Sequence, residues 1–387
     1  MNPPPSRAAR PPINNVFCVR PMRGETGDDA AFLAVRHALR EAFGPLVNVM
    51  SLPARATGGL NRAGLTTRTV YEFNLFGHGV VLCGGSPLDH EAWLDLEPDA
   101  LAGLEVPLLV AGLPRGFAPH ELRALSDQTD TLLALDAGAL DAMTRAGVPA
   151  ALSGHPALFV ERAIRRADPA HAPTPTPVLV CVREPRRTTL SGDLRRALPG
   201  RLRDLLRDLA ARHGDVRLLC QSDGDRHLAA SVSDVDYVSC EDVHDWHDQL
   251  DASDLTITFR VEAALASASL GVPFVHLSAG GDDRAALEAA GLGAWSIEIE
   301  SCSDLGAAVA ARVDDLPRLA ERRLAAMDTW ATLDRALSEA VRSFAARVSS
   351  ARANDAQRPL ADHAAVRQHL GAEPTSVQPA LGDDAEE

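Results

Sequence analysis

The stretch SDLTITFRVEAALASASLGVPFVHLS (253–278) carries the pattern that decides the fold. Two apolar runs, LTITF and PFVHLS, flank a run of small residues in which Ala, Ser and Leu alternate. This pattern predicts a buried strand, a helix and a second buried strand, which together form one βαβ unit. Arg260 and Glu262 stand at the first turn, at the carboxyl end of the first strand, where open α/β sheets bind their ligands.

The same alternation of strands and helices extends in both directions along the chain. NNVFCVR (14–20), PLVNVMSL (45–52), TVYEFNLF (69–76) and VVLCGGS (80–86) are predicted strands, and VLVCVRE (178–184) opens a second series. Repeated βα units indicate parallel sheets that are covered on both faces. We therefore predict two Rossmann-like domains whose sheets face a common cleft, followed by a long C-terminal helix.

Proline content sets the domain boundaries. RRADPAHAPTPTP (165–177) can continue neither a helix nor a central strand, because its prolines lack the backbone N–H group. The predicted organisation is a disordered start at 1–12, an N-terminal domain at 13–164, a linker at 165–177, a C-terminal domain at 178–350 and a mobile tail at 351–387.

The composition excludes several classes of function. The net charge is −15, from 53 acidic and 38 basic residues, and none of the basic residues is a lysine. A basic surface for nucleic acid is therefore not expected, nor are Schiff-base chemistry and a lysine-containing phosphate loop. Six cysteines without CxxC spacing indicate buried thiols. Without an apolar run of about 18 residues or a secretory signal, we expect a cytoplasmic protein with no membrane span.

Two arginines and one carboxylate are the strongest candidates for a site. Arg183 ends the first strand of the second domain, and Arg260 and Glu262 follow a later strand. If that strand continues through Glu262, the alternation of side chains places Arg260 and Glu262 on the same side, toward the cleft. Guanidinium groups suit phosphate and carboxylate ligands. The alternative is an internal ion pair that only fixes the turn.

Further candidates have weaker signals. In LSAGGDD (277–283), Ser278 and Gly280 stand in a glycine-containing turn that can bind an anion through backbone N–H groups, although the two aspartates that follow more simply cap the next helix. His155 precedes a proline near the linker. The pair His244 and His247 in DVHDWHD has the spacing for a metal, but a polar helix surface is favoured. No metal site is predicted.

Several of these segments together resemble the polysaccharide pyruvyl transferase family. The segments are GETGDDAAFLAVRHAL, VVLCGGS, LDAMTRAGVPAALSGHPAL, LVCVRE, LLCQSDGD and the stretch quoted first, and they occur in the family's order over about residues 14–300. The resemblance implies a GT-B-like fold and the transfer of a pyruvyl group from phosphoenolpyruvate, as co-substrate and without a further cofactor, to a glycan or glycolipid acceptor.

The resemblance also implies roles for single residues. Arg183 and Arg260 match positions that bind phosphoenolpyruvate, and we group Ser278 and Gly280 with them as donor-binding. Glu262 replaces the histidine that is proposed as the family's general acid, and His155 replaces an aspartate, so these two are the expected catalytic pair. The expected cleft residues on the acceptor side are Gly24, Asp28, Gly84, Gly85 and Ser86.

The replacement of the family histidine by Glu262 leaves two other functions open. EAALASASLGVP also resembles the segment of GT-B glycosyltransferases in which a glutamate binds the ribose of a nucleotide-sugar. In that case Arg183 or Arg260 holds the diphosphate. The other possibility is a non-catalytic relative that binds a glycan or a partner protein. The sequence predicts neither the acceptor nor the oligomeric state.

Overall fold

The computed structural model describes residues 13–20, 26–53, 67–83, 101–164, 176–232 and 235–355. These residues form two α/β domains, each built on a six-stranded parallel sheet. The predicted fold class, two Rossmann-like domains in a GT-B-like arrangement with a long C-terminal helix, is confirmed. The predicted segment 1–12 and most of 165–177 and 351–387 lie outside the described residues.

The first sheet has the strand order β2-β1-β3-β4-β5-β6. A 3-10 segment, Pro156–Arg162, follows the last strand and leads toward the second domain. The strands are β1 Asn14–Arg20, β2 Val47–Pro53, β3 Gly79–Cys83, β4 Leu108–Leu113, β5 Leu132–Ala134 and β6 Ala150–Leu152, and the described helices of this domain are α1 Thr26–Phe43, α2 Thr67–Phe76, α3 Pro119–Ser126 and α4 Ala137–Arg145.

The second sheet has the order β12-β11-β10-β7-β8-β9, so the order reverses between β7 and β10. Such a reversal is the topological switch point at which open α/β sheets bind ligands. The strands are β7 Thr176–Cys181, β8 Val216–Cys220, β9 Tyr237–Ser239, β10 Ser253–Thr258, β11 Phe274–Ser278 and β12 Ser296–Glu298, and the helices are α5 Gly192–His213, α6 Asp223–Val232, α7 Val243–Asp251, α8 Val261–Leu270, α9 Gly281–Ala289, α10 Leu305–Asp314 and α11 Leu316–Asp355.

One predicted strand is a helix. TVYEFNLF lies within α2, and its two buried side chains are Val70 and Phe73, whereas Tyr71 and Phe76 are exposed. A spacing of three residues between buried side chains is the period of a helix rather than of a strand. The aromatic and β-branched residues of this segment favour a strand on propensity, and packing of the helix face against the first domain's core overrides that preference.

Helix α8, the small-residue helix of the quoted stretch, is buried on all sides. Every residue from Val261 to Leu270 is buried except Ser269. The second sheet covers one side, and α1 and the 3-10 segment of the first domain cover the other, in a single apolar cluster that spans both domains. Small side chains allow backbones to approach from both sides, which explains why this helix contains so many alanines and serines.

Helix α11 belongs to both domains. Its first half packs on the second domain, where Trp330 Nε1 donates to Ala290 O at 2.8 Å. Its second half lies on the first domain, where Arg347 Nη2 donates to Gln128 O at 2.8 Å. The helix therefore connects the two domains through contacts with both. It ends at Asp355, five residues past the predicted domain end at 350.

The close approach of α11 to the first sheet gives a stability prediction. A Cβ atom at Gly79 would lie 2.6 Å from Phe344 Cζ and 2.8 Å from Val348 Cγ2. Gly79→Ala should therefore lower the free energy of unfolding by about 1–3 kcal/mol, because the packed side chains must shift. Urea unfolding measures the change.

The matched control is Gly200→Ala within α5, where nothing lies within 4 Å of a new Cβ atom. That variant should be neutral or gain about 0.5–1 kcal/mol, because alanine favours a helix over glycine. Equal effects of the two variants would contradict the described packing of α11 on β3.

Candidate functional site

The candidate site lies at the carboxyl ends of β7 and β10, the two strands that flank the switch point. Cys181 in β7 and Thr258 in β10 are register partners, so Arg183 and Arg260 stand level on neighbouring strands. Both arginines are about 1% exposed, and Glu262 is 3% exposed. The structure thus brings together the three residues that the sequence placed at strand ends.

The carboxylate of Asp225 connects three loops at this edge of the sheet. Its Oδ1 accepts a hydrogen bond from Glu184 N at 2.9 Å, and its Oδ2 accepts from Gln221 N at 3.1 Å. The same Oδ2 accepts from Arg260 Nη2 at 2.6 Å, in an ion pair that is fully buried. One carboxylate therefore ties the loops after β7, β8 and β10. Sequence analysis noted the LLCQSDGD segment but assigned Asp225 no role.

Arg260 stands at the end of β10 and contacts neighbouring turns of the second sheet. The strand ends at Thr258, so the expected alternation through Glu262 does not hold. Arg260 instead precedes the first turn of α8, where its backbone N donates to Thr258 Oγ1 at 2.9 Å and its Nε donates to Val182 O at 3.1 Å. The arginine thus fixes the turn, as the ion-pair alternative expected, but its partner is Asp225 and not Glu262. A contact of Arg260 with a ligand stays a prediction.

Glu262 meets His155 of the first domain. His155 Nε2 lies 3.9 Å from Glu262 Oε1, and both side chains are buried. His155 Nδ1 accepts a hydrogen bond from Ala157 N at 3.1 Å, so the neutral ring carries its proton on Nε2, the atom that faces Glu262. Burial lowers the pKa of His155, and the charge of Glu262 opposes this effect. The two expected catalytic residues therefore lie together, one from each domain.

The LSAGGDD turn lies beside Arg183 and is built around Gly280. Thr189 Oγ1 donates to Ala279 O at 2.5 Å, and a Cβ atom at Gly280 would lie 2.4 Å from that hydroxyl oxygen. Ser278 Oγ donates to Gly280 O at 2.7 Å, so its hydroxyl holds the turn. These contacts explain the choice of glycine and serine; binding of a donor by Ser278 or Gly280 stays a prediction.

Asp283 differs from its expected role. The sequence suggested a helix cap, but both carboxylate oxygens of Asp283 are buried and accept no hydrogen bond from the part of the chain that the structure describes. Burial raises the pKa of Asp283 to about 7; Arg183 opposes the shift, and Glu262 increases it. A carboxyl group that titrates near neutrality is typical of functional sites, and sequence analysis missed it.

His276 of β11 also interacts electrostatically with Arg183. Its Nδ1 lies 3.0 Å from Ser296 Oγ, and its side chain is fully buried. Burial, with a contribution from the Arg183 charge, lowers the pKa of His276 to about 3, so the ring is neutral at physiological pH. Arg183 is therefore surrounded by groups whose protonation its charge influences.

The expected residues on the acceptor side stay a prediction. Gly24, Gly84, Gly85 and Ser86 lie outside the described residues, and Asp28 falls in the first turn of α1. In α7, His247 is fully buried rather than on the expected polar surface, while His244 is exposed.

Two general properties hold over the residues that the structure describes. Within the described ranges, no three His, Cys, Asp or Glu side chains are grouped as metal ligands. None of the described helices combines the length and apolar character needed to cross a membrane.

The fold is similar to that of known nucleotide-sugar enzymes. A putative UDP-N-acetylglucosamine 2-epimerase from Listeria monocytogenes matches with a TM-score of 0.54 and 11% identity over 80% of this chain and 90% of that chain. The S. aureus MnaA structure with UDP has a TM-score of 0.53 and 15% identity, and the match covers 80% of this chain and 91% of that chain. UDP-GlcNAc 2-epimerase from Neisseria meningitidis, bound to UDP-GlcNAc, has a TM-score of 0.51 and 12% identity, and the match covers 80% of this chain and 94% of that chain.

No family model and no curated protein matches the chain. The resemblance to the pyruvyl transferase family therefore stays a prediction. The predicted function, transfer of a pyruvyl group from phosphoenolpyruvate, is wrong, because the matched structures are of UDP-GlcNAc 2-epimerases, one of them putative, or contain UDP. The buried charges give a physical reason. Asp225 pairs with Arg260, and the carboxyl group of Asp283 interacts with Arg183, so the two arginines do not form the purely cationic clamp that a trianionic donor needs.

The Asp225–Arg260 pair gives a second stability prediction. Asp225→Asn should lower the free energy of unfolding by about 3–5 kcal/mol, because it leaves the Arg260 guanidinium buried without its counter-charge. Asp223→Asn is the control in the same helix, since the Asp223–Arg226 pair is on the surface, with Asp223 79% exposed. The control should change stability by less than about 1 kcal/mol. Similar losses for both variants in urea unfolding would contradict the central role of Asp225.

Proposed function

We propose that the protein is an enzyme that binds a nucleotide-sugar at the carboxyl ends of β7 and β10 and acts on the sugar between the two domains. The observation that carries the proposal is the meeting of His155 with Glu262 at the switch point of the second sheet. The fold likeness to UDP-GlcNAc 2-epimerases over 80% of the chain supports it. We infer a UDP-sugar as the ligand from the UDP and UDP-GlcNAc bound in those structures.

Glu262 is assigned to the nucleotide. It stands in the first turn of α8, directly after the strand end, and its carboxylate offers two acceptor oxygens for the paired hydroxyls of a ribose. Arg183, level with this turn on the neighbouring strand, supplies the positive charge for the diphosphate. Since Glu262 is 3% exposed, the groups that cover it must move aside when the ligand enters.

His155 is assigned to the sugar. It comes from the first domain, so it approaches from the side opposite to the nucleotide-binding turn. Its Nε2–H points toward Glu262 and makes no hydrogen bond within the described residues, which leaves this N–H available to a ligand hydroxyl or carbonyl. A neutral imidazole at the domain boundary can donate or accept a proton during a change at the sugar. No further cofactor is required by this assignment.

Calorimetry with UDP-GlcNAc and with phosphoenolpyruvate tests the ligand class. UDP-GlcNAc should bind with a Kd between about 1 μM and 1 mM, and phosphoenolpyruvate should not bind. Glu262→Gln should weaken UDP-GlcNAc about tenfold or more, because hydrogen bonds to a charged acceptor contribute about 1.5–3 kcal/mol. The exposed Glu241→Gln is the matched control and should bind like the parent. Binding of neither compound would favour a protein that binds a glycan or a partner.

His155→Asn tests the catalytic assignment. Asparagine keeps an acceptor for Ala157 N, in its Oδ1, and removes the outer ring atoms Cε1 and Nε2, so the 3-10 segment should remain folded. The turnover number should fall about 10²–10⁴-fold while the Kd for UDP-GlcNAc stays unchanged. NMR of the sugar measures turnover: inversion at a ring carbon identifies an isomerase, and products that require an added glycan identify a transferase. His244→Asn on the surface of α7 is the control. A variant with full turnover would contradict the role of His155.

A further inference from the structure

Asp283 carries a buried carboxyl group to which the proposed function assigns no role. Its side chain is fully buried in the first turn of α9, a helix of nine residues, and neither oxygen accepts a hydrogen bond from the described residues. An ionised carboxylate in such a place has lost its water and gained no donor, which is unfavourable by several kcal/mol on general grounds. The neutral acid avoids most of that cost.

Asp283 interacts electrostatically with the residues assigned to the nucleotide. Its protonation is coupled to Arg183, which follows β7, and to Glu262 in α8, which are the two residues assigned to the nucleotide. The charged groups that act on it are Arg183 after β7, Glu262 in α8, Glu298 in β12 and Asp282 in α9 itself, and His276 in β11 interacts with the same Arg183. Three of the four groups that act on Asp283 are carboxylates, and they disfavour a further negative charge.

The same place offers donors for an anion. Helix α9 begins at Gly281, within the LSAGGDD stretch, so its first backbone N–H groups and the positive end of its dipole lie beside Asp283. A diphosphate held here would meet Arg183 and the helix start, but it would also meet the oxygens of Asp283. An ionised Asp283 would repel the phosphate, whereas a protonated Asp283 has an O–H that can donate to it.

We propose that Asp283 binds the diphosphate of the ligand as a neutral acid, so that the protein takes up one proton when the nucleotide-sugar binds. This inference rests on the proposed function and adds how the site controls its charge. The balance is simple: free protein with ionised Asp283, one solvent proton and the ligand give a complex in which the Asp283 O–H donates to a phosphate oxygen. No bond of the ligand is broken in this step.

The consequence for binding has a definite sign. Burial raises the pKa of Asp283 to about 7, so below that pH the free protein is already protonated and affinity is constant. Above about pH 7 the proton must be taken up with the ligand, and affinity should fall about tenfold for each pH unit. The diphosphate of UDP-GlcNAc is esterified on both sides and keeps a constant charge over this range, so the ligand does not contribute to the slope.

Calorimetry of UDP-GlcNAc binding at about pH 8 in two buffers of different ionisation enthalpy counts the protons. The parent protein should take up close to one proton per ligand, and Asp283→Asn, which cannot ionise, should take up none and bind with a Kd that does not depend on pH. Asp282→Asn, one residue away and with its side chain 45% exposed, should keep the uptake.

The outcomes separate this inference from the proposed function. Binding without proton uptake, or with the same uptake in Asp283→Asn, would overturn the role of Asp283 and leave the nucleotide-sugar assignment standing. No binding of UDP-GlcNAc at any pH would overturn both. If Asp283→Asn fails to fold, a parent protein that takes up no proton at about pH 8 still overturns the role of Asp283, and Asp283→Ser serves as a second variant that cannot ionise.

A ligand-free measurement provides an independent check. With a pKa near 7 in the folded state and near 3.8 in the unfolded state, Asp283 binds its proton in the folded protein first. The stability of the parent should therefore fall relative to Asp283→Asn as the pH rises from about 4 to about 7, and the difference should stay constant above that range. Urea unfolding at several pH values measures it. A constant difference across the whole range would overturn the neutral acid.

Discussion

The buried ion pair between Asp225 and Arg260 is the constraint on which the site depends. Asp225 accepts hydrogen bonds from the loops after β7 and β8, and Arg260 stands at the start of α8. This pair connects the ends of β7, β8 and β10, and it fixes the position of the first turn of α8. Glu262 stands in that turn, so its position opposite His155 follows from a contact in which neither of them takes part.

The regular parts of the fold were predictable because they depend on local patterns. Parallel strands buried on both faces form continuous apolar runs, and LTITF and PFVHLS are such runs. TVYEFNLF was misread because its residue types favour a strand while the spacing of Val70 and Phe73 fits a helix. In this eight-residue segment the residue types predict a strand and the spacing of the buried side chains predicts a helix. The segment is a helix because that spacing lets one face pack against the core.

The site was only partly predictable, because its partners are distant in sequence. Arg183, Arg260 and Glu262 could be located at strand ends from the strand pattern alone. The carboxylate that pairs with Arg260 is 35 residues away, and the burial of Asp283 depends on how other elements pack around α9. The residues alone indicated an anion site at these arginines, and phosphoenolpyruvate followed only from the resemblance to the pyruvyl transferase family; neither could show that carboxyl groups lie beside the arginines. The structure shows a site in which carboxyl groups balance the guanidinium groups.

Helix α11 has a consequence for how such a protein can change during evolution. Enzymes built from two domains are often diversified by exchanging one domain for another. Here the chain that leaves the second domain returns to cover the flank of the first sheet, where Phe344 packs on Gly79 and Arg347 binds Gln128 O. A graft of the second domain alone would bring a foreign surface to that flank. Recombination is therefore expected to succeed only when the crossover point falls inside α11, between the half that packs on the second domain and the half that packs on the first.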